Sequence, residues 1–151
     1  LVSDWSSDVC SSDLMTELLQ EALPESTLLV DSGGLRMRHA GLLRNTELAE
    51  LSDGTLKLIH LAAACFFPHP PPLMFFNEPE TSLSPAAIPV LARLIEHAAM
   101  SSQIWVTTHS MELADLLRHS TAAKVIHLEK LDGETYISGG SRRGRFVAEE
   151  D

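Results

Sequence analysis

The stretch LMFFNEPETSLSP, residues 73–85, decides how this chain folds. It opens with four apolar residues in a row, the pattern of a strand that is buried on both faces of a parallel sheet. Asn77 and Glu78 follow directly, and Ser84 with Pro85 has the pattern of a helix N-cap and first helical residue. The stretch therefore predicts a buried strand, a polar loop and then a helix, whose first turn should be irregular around Pro89.

Helices and strands alternate along the rest of the chain. Apolar spacing and turn residues predict a helix over 15–23, a hairpin over 26–41, a largely buried helix over 51–67, a second buried strand over 104–108, a helix over 111–117, a third strand over 124–131 and an edge strand over 134–138. This alternation implies crossover units on a parallel sheet, so the predicted fold class is α/β with helices flanking the sheet.

Size and composition narrow the class of protein. The 151 residues, 44% of them hydrophobic, have the length of one domain with a packed core. A net charge of -10 and 5% aromatic residues leave room for no more than a local nucleic-acid contact. Two widely separated cysteines indicate neither a disulfide framework nor a zinc site, and no apolar run is long enough to span a bilayer. We therefore expect a cytoplasmic protein without a membrane partner.

The first residues differ from the remainder. Residues 4–14, DWSSDVCSSDL, form a Ser/Asp quasi-repeat without a helical or strand period. They are either a disordered tail or, as we favour, the translation of a sequencing adaptor joined to a truncated gene, which they resemble. The predicted organisation is a non-native or disordered segment at 1–14, one domain at 15–138 and a flexible tail at 139–151.

Polar residues end two of the predicted strands. Asn77 and Glu78 follow the first, and His109 and Ser110 follow the second. Since ligands collect at the carboxyl ends of parallel strands, we expect these side chains to form one site. Taken alone, a His after a strand is more often an ordinary loop residue and a Glu before Pro is usually just exposed, so the prediction rests on the residues taken together and in this order.

Three motifs in this order resemble a known family. LSDGT at 51–55, LMFFNEPETSLSP at 73–85 and VTTHS at 106–110 are similar to the signature motif, the Walker B strand with its D-loop, and the switch histidine of ABC-type ATPases. The resemblance is to the RecF-, SMC- and OLD-like branch, often described as AAA-family ATPases. It implies a parallel-sheet P-loop NTPase fold, of which residues 15–138 are the carboxy-terminal half, and a function in ATP binding and hydrolysis.

The resemblance also implies roles for the residues at the strand ends. Glu78 would orient the attacking water, and His109 would contact the terminal phosphate or that water. Asn77 would stand where an aspartate usually holds Mg²⁺ through a water molecule. The implied cofactors are ATP and Mg²⁺.

The remaining implied residues concern a partner. Ser52, Asp53 and Gly54 would form an anion-facing helix start that meets the nucleotide of a second protomer in a head-to-tail homodimer. Ser82 would lie along the same interface. A DNA or protein substrate is possible within the branch, and the sequence does not choose between them.

The phosphate-binding loop of this family has no counterpart in the sequence. Gly-x-x-x-x-Gly-Lys-Ser/Thr does not occur, and GGSRRGRF at 139–146 has arginine for lysine and phenylalanine for the hydroxyl residue. We reject it as a P-loop, interpret its arginines as a solvated tail, and expect little or no activity from this chain alone. Two alternatives are a non-hydrolysing nucleotide-dependent dimerisation module, favoured by the neutral Asn77, and an AAA+ ring ATPase, disfavoured by LSDG.

Overall fold

The computed structural model describes residues 5–31, 34–121, 123–131 and 133–138. The helices are α1 (Trp5–Ala22), α2 (Asp53–Cys65), α3 (Ile88–Ala99) and α4 (Met111–Thr121), and the strands are β1 (Ser26–Asp31), β2 (Gly34–His39), β3 (Thr46–Glu47), β4 (Leu73–Asn77), β5 (Gln103–Thr107), β6 (Leu128–Leu131) and β7 (Glu134–Ile137). Two short 3-10 turns, Leu48–Glu50 and Pro85–Ala87, precede α2 and α3. The predicted α/β class is confirmed.

The parallel pair β4–β5 organises the fold. The strands run in register from Leu73 opposite Gln103 to Asn77 opposite Thr107, and α3 forms the crossover between them. Alternate residues of a strand point to opposite faces. One face of the pair therefore carries the buried Phe76 and the partly buried Met74, Ile104 and Val106.

The hydrophobic core lies against that inner face. All four helices contribute to it, with Leu18 from α1, Leu58 from α2, Leu91 from α3 and Leu113 from α4 each at most 1% exposed. Burying a side chain of this size stabilises the fold by about 1.5–3 kcal/mol, so these contacts are the main force that holds the helices on the sheet.

The outer face of the pair is open. Leu73, Phe75 and Trp105 are 53%, 60% and 55% exposed. The prediction that residues 73–76 form a strand buried on both faces is therefore wrong for the described chain. The reason is that α1, α2, α3 and α4 supply the core on one side only, and no described element covers the other side.

The first turn of the third helix is irregular, as predicted. Ser84 is the N-cap of the 3-10 turn Pro85–Ala87, which passes directly into α3. Pro89 lies at the start of α3, where its missing N–H costs no helical hydrogen bond. The chain thus enters α3 without a break in the middle of the helix.

Two antiparallel units complete the fold. The predicted hairpin is confirmed by β1 and β2, which pair from Ser26 opposite His39 to Asp31 opposite Gly34. The prediction of a third parallel strand over 124–131 is wrong. Only β6 is paired in this range, and it pairs antiparallel with β7. A turn at Gly133, where φ is +86°, reverses the direction of the chain directly after β6. Because β7 follows so closely in the sequence, it pairs antiparallel with β6.

The amino-terminal helix begins earlier than predicted. It starts at Trp5 and not near residue 15, so residues 5–14 form the first turns of α1. The division of the chain at residue 14 stays a prediction. No Gly or Pro interrupts these residues, and adding a turn to an existing helix costs far less than nucleating one. Their foreign origin stays a prediction. The tail at 139–151 lies outside the described residues. Among the described helices, none combines the length and apolar character that crossing a membrane requires.

Candidate functional site

The site is built at the carboxyl end of the β4–β5 pair. Asn77 and Thr107 end the two strands opposite each other, and the Thr107 hydroxyl donates to Asn77 Oδ1 at 2.7 Å. The Glu78 N–H donates to the Thr107 carbonyl at 2.8 Å, which extends the ladder by one residue. The backbone at Glu78 is left-handed, with φ of +44°, an uncommon conformation for a residue with a side chain. The ladder therefore fixes where the loop after β4 begins.

The structure brings Glu78 and His109 together. His109 Nε2 lies 3.2 Å from Glu78 Oε1, and the Thr81 hydroxyl is 3.4 Å from Glu78 Oε2. The two ionisable side chains that the sequence predicted at neighbouring strand ends thus share one site. Ser110 has a structural role beside them, because its Oγ accepts from the Leu113 N–H at 3.1 Å and caps the start of α4.

Glu80 is a site residue that sequence reasoning missed. Its Oε1 accepts from the Thr108 hydroxyl at 2.5 Å and from the His109 N–H at 3.0 Å. Burial alone would raise the pKa of Glu80, but the hydrogen bonds from the Thr108 hydroxyl and the His109 N–H help to hold that pKa below its ordinary value. The available signal was its position as the second carboxylate of NEPE, two residues after Glu78.

The LSDG segment reaches the same site. Ser52 is the N-cap of α2, where its Oγ accepts from the Thr55 N–H at 3.2 Å, and Asp53 is the acidic residue of the first turn. A Cβ on Gly54 would lie 2.3 Å from the Ser82 carbonyl oxygen. Gly54 therefore permits a backbone contact with Ser82, which has a left-handed φ of +69°.

Lys57 is the second residue that sequence reasoning missed. From α2 its Nζ donates to the Glu78 carbonyl at 2.9 Å and to the Thr81 carbonyl at 3.0 Å. Residues 78–82, called here the 78–82 loop, are thus held by α2 on one side and by the loop after β5 on the other. The signal in the sequence was a lysine one helical turn after Asp53 and Gly54.

The donor set is poor in metal ligands. No cluster of three or more His, Cys, Asp or Glu side chains that could hold a metal is found in the described ranges. Asn77 offers a neutral oxygen that already accepts from Thr107. Such an oxygen suits contact with a coordinated water better than direct capture of Mg²⁺, which prefers carboxylates, phosphates and water.

Comparison with known proteins supports the α/β fold described above. Residues 7–115 match a family described as "AAA domain, putative AbiEii toxin, Type IV TA system", and this range includes all three motifs quoted above. No curated protein matches. The match takes in residues 7–14, and it leaves their origin as a prediction.

Solved SMC structures have a similar fold. A structure from work on ATP-driven dimerization and DNA-stimulated activation of SMC ATPases matches with a TM-score of 0.55 and 22% identity over 88% of this chain and 84% of that one. An Smc head bound to the C-winged helix domain of ScpA gives 0.62 and 22% over 84% and 41%. An Smc head with an extended coiled coil, bound to the C-terminal domain of ScpA and derived from Pyrococcus furiosus, gives 0.60 and 22% over 84% and 33%.

These matches bear on the sequence prediction at two levels. The structural similarity shows that the described chain has the α/β fold of SMC head P-loop NTPase domains. It spans most of the first of those chains and less than half of the other two. Because the family model covers more than half of the 151 residues, the chain belongs to this AAA-domain family, as the resemblance to the SMC-like branch predicted.

Proposed function

We propose that this chain supplies the hydrolytic edge of an ATPase, with Glu78 and His109 as its catalytic pair. The observation that carries the proposal is their 3.2 Å contact at the carboxyl end of two parallel strands, beside Asn77. This is the edge of an α/β sheet where ligands bind. The coarser assignment to nucleotide-dependent ATPase chemistry agrees with the family match.

Glu78 is suited to handle the attacking water. Its carboxylate is 43% exposed, so a water can reach it, while its N–H and C=O are both hydrogen-bonded and fix its backbone. When ATP is bound, it supplies the phosphoanhydride that is cleaved. The Glu78 carboxylate would accept a hydrogen bond from the water and take its proton, and His109 would orient the same water or contact the phosphate.

Asn77 fits the metal side through water. Asn77 Oδ1 keeps a second lone pair after accepting from Thr107 and would hold Mg²⁺ through a water, and the ion would supply positive charge beside the phosphates. An amide oxygen carries no charge, so we propose weaker Mg²⁺ binding than an aspartate would give at this position.

The phosphate cradle must be supplied by other residues. The 151 residues contain no Gly-x-x-x-x-Gly-Lys-Ser/Thr, so we propose that a P-loop segment outside this sequence completes the nucleotide site. The start of α2, which includes Ser52, Asp53 and Gly54, meets the Ser82 backbone through Gly54. Together these residues form one surface beside the site. We propose that this surface meets a second protomer head to tail, and that this chain alone releases no phosphate.

The first test substitutes the water-handling carboxylate. In a protein that joins this chain to its P-loop segment, Glu78→Gln should lower phosphate release at saturating ATP by about 10²-fold or more, since the amide cannot take a proton. Glu96→Gln on α3, outside the 78–82 loop, is the matched control and should keep the parent rate. Unchanged turnover in Glu78→Gln would remove Glu78 from its proposed role.

A second candidate function is nucleotide-dependent dimerisation without hydrolysis. The observation in its favour is the neutral Asn77, which the Thr107 hydroxyl already engages. In that case ATP would produce lasting dimers in light scattering with no phosphate release, and Asn77→Asp would raise release above background.

A further inference from the structure

We infer that Glu80 is a positioning residue that anchors the loop carrying His109 to the 78–82 loop, so that the imidazole stays in contact with Glu78. The inference rests on the proposed function only in its consequence for turnover. The anchor itself is a structural claim about Glu80, Thr108 and His109.

Glu80 contacts residues 108–110, called here the His109 loop, at two points. Its Oε1 accepts from the Thr108 hydroxyl at 2.5 Å and from the His109 N–H at 3.0 Å. Hydrogen bonds to a carboxylate are about twice as strong as those between neutral groups. Its Oε2 is buried and has no hydrogen-bond partner among the described residues. The carboxylate therefore binds only the loop that carries His109, and water has little access to replace these hydrogen bonds.

The His109 imidazole has little other restraint. Its side chain is 89% exposed, so packing does not fix its direction, and its contact with Glu78 is a single 3.2 Å approach. Because the ring extends from a backbone that Glu80 holds at the N–H, the position of the ring depends on that anchor. Glu80 thus acts on the Glu78–His109 pair through His109.

The anchor itself sits on a rigid turn. Pro79 is fully buried and has a fixed φ, and Glu78 and Ser82 on either side are left-handed. The Thr81 N–H donates to the Glu78 carbonyl at 3.1 Å, and the Leu83 N–H donates to the Glu80 carbonyl at 3.0 Å. These consecutive turns fix the Glu80 backbone, so its carboxylate holds the His109 N–H at a defined position.

Lys57 provides a matched control. It holds the 78–82 loop from α2 through the Glu78 and Thr81 carbonyls and has no hydrogen bond to the His109 loop. Loss of Lys57 should loosen the 78–82 loop as a whole, whereas loss of Glu80 should release His109 specifically. The two variants therefore separate a general effect on the loop from positioning.

The test observes the His109 amide in the ¹⁵N-labelled chain without nucleotide. In the parent, the His109 N–H resonance should show a step in the pH range of carboxylates, below the range in which imidazoles titrate, as the Glu80 carboxylate is protonated. Glu80→Gln should keep the fold, because an acceptor remains for both donors, and should abolish that acidic step, because the amide does not titrate. Glu80→Ala should increase hydrogen exchange at His109 by about tenfold or more, the effect of losing a hydrogen bond to a charged group. Lys57→Met should keep the acidic step, because Glu80 is retained, and should raise hydrogen exchange at His109 less than Glu80→Ala does. Hydrogen exchange at His109 that stays at the parent rate in Glu80→Ala would overturn the inference.

The consequence for turnover is tested separately. In the protein that includes the P-loop segment, Glu80→Ala should lower kcat by about tenfold and leave KM within about twofold, since the contact acts on the reacting geometry and not on ATP binding. Glu80→Gln, which keeps an acceptor for both donors, should lie nearer the parent. Equal changes in KM and kcat would contradict positioning. The amide measurements need no ATP, so they distinguish failure of the anchor from failure of the proposed ATPase function.

Discussion

At the scale of single residues, the contact between Gly54 and Ser82 shows how backbone atoms shape this site. Glycine is the only residue type that fits at position 54, because a Cβ there would lie 2.3 Å from the Ser82 carbonyl oxygen and 3.4 Å from the Ser82 carbonyl carbon. Both are backbone atoms, which cannot rotate away as a side chain can. The start of α2 and the end of the 78–82 loop are therefore placed by close approach and not by side-chain packing.

Gly54→Ala is expected to destabilise the chain. In open space the substitution would stabilise by about 0.4–1 kcal/mol through the unfolded state. Here the clash should reverse the sign and cost about 1–3 kcal/mol, the range for overpacking. Equilibrium urea unfolding measures the change, with His60→Ala on the exposed face of α2 as the control that should stay near the parent value. A stabilised Gly54→Ala variant would contradict the close approach.

The site residues divide into those that the sequence could predict and those that it could not. Asn77, Glu78 and His109 follow from one rule, that the carboxyl ends of parallel strands meet at one edge. Glu80 and Lys57 bind backbone groups of segments 21 to 29 residues away. Almost any residue type presents the same N–H and C=O, so these backbone partners leave no mark in the sequence. Only the Thr108 hydroxyl, which Glu80 also binds, belongs to a side chain.

At the scale of elements, strand β4 has two unlike faces. Phe76 is 8% exposed and packs into the core, whereas its neighbour Phe75 is 60% exposed on the outer face beside Trp105. The letters of the sequence are apolar on both faces. A continuous apolar run predicts burial on each side, but which face a neighbouring element covers depends on the whole arrangement of helices.

The two neighbouring phenylalanines should differ strongly when truncated. Phe76→Ala is expected to lower the free energy of unfolding by about 3–5 kcal/mol, the cost of a cavity in a packed core. Phe75→Ala should change it by about 0.5 kcal/mol or less, as for exposed positions. Both variants are compared by the midpoint and slope of urea unfolding. Similar losses for the two would mean that the outer face is covered in solution.

The start of α1 is also set by more than local pattern. The apolar period begins at residue 15, yet the helix extends back to Trp5. Leu18 and Leu19 are buried against the core and hold the later turns in place. Once these turns exist, each further helical residue adds a hydrogen bond at little extra cost, a cooperative effect that a residue-by-residue period does not contain.

At the scale of the whole molecule, the core is one continuous cluster that joins four helices to a single sheet face. Cys65 at the end of α2 is part of it, 5% exposed, and burial raises the pKa of its thiol to about 12. An unfolded cysteine ionises near pH 8.5. The neutral buried thiol therefore contributes fully below that pH, and its contribution is lost as the pH rises toward the folded value.

Alkaline unfolding should report this thiol. Above about pH 9 the free energy of unfolding of the parent should fall with pH more steeply than that of Cys65→Ala, by up to about 1.4 kcal/mol per pH unit. Urea unfolding at a series of pH values measures both slopes. Ala62→Gly, buried in the same helix, is the control, because it weakens the core and keeps the thiol. Identical slopes in the parent and in Cys65→Ala would contradict the assignment.

The β4–β5 pair has a geometric consequence for any larger sheet. Within the described strands, β4 and β5 pair only with each other, so each keeps one edge with N–H and C=O groups that no described strand uses. A strand that added in parallel at either edge would bring its own final residue level with Asn77 or Thr107. One that added antiparallel would bring its first residue there. The direction in which the sheet grows would therefore decide whether the end or the start of the new strand stands beside the Glu78–His109 pair.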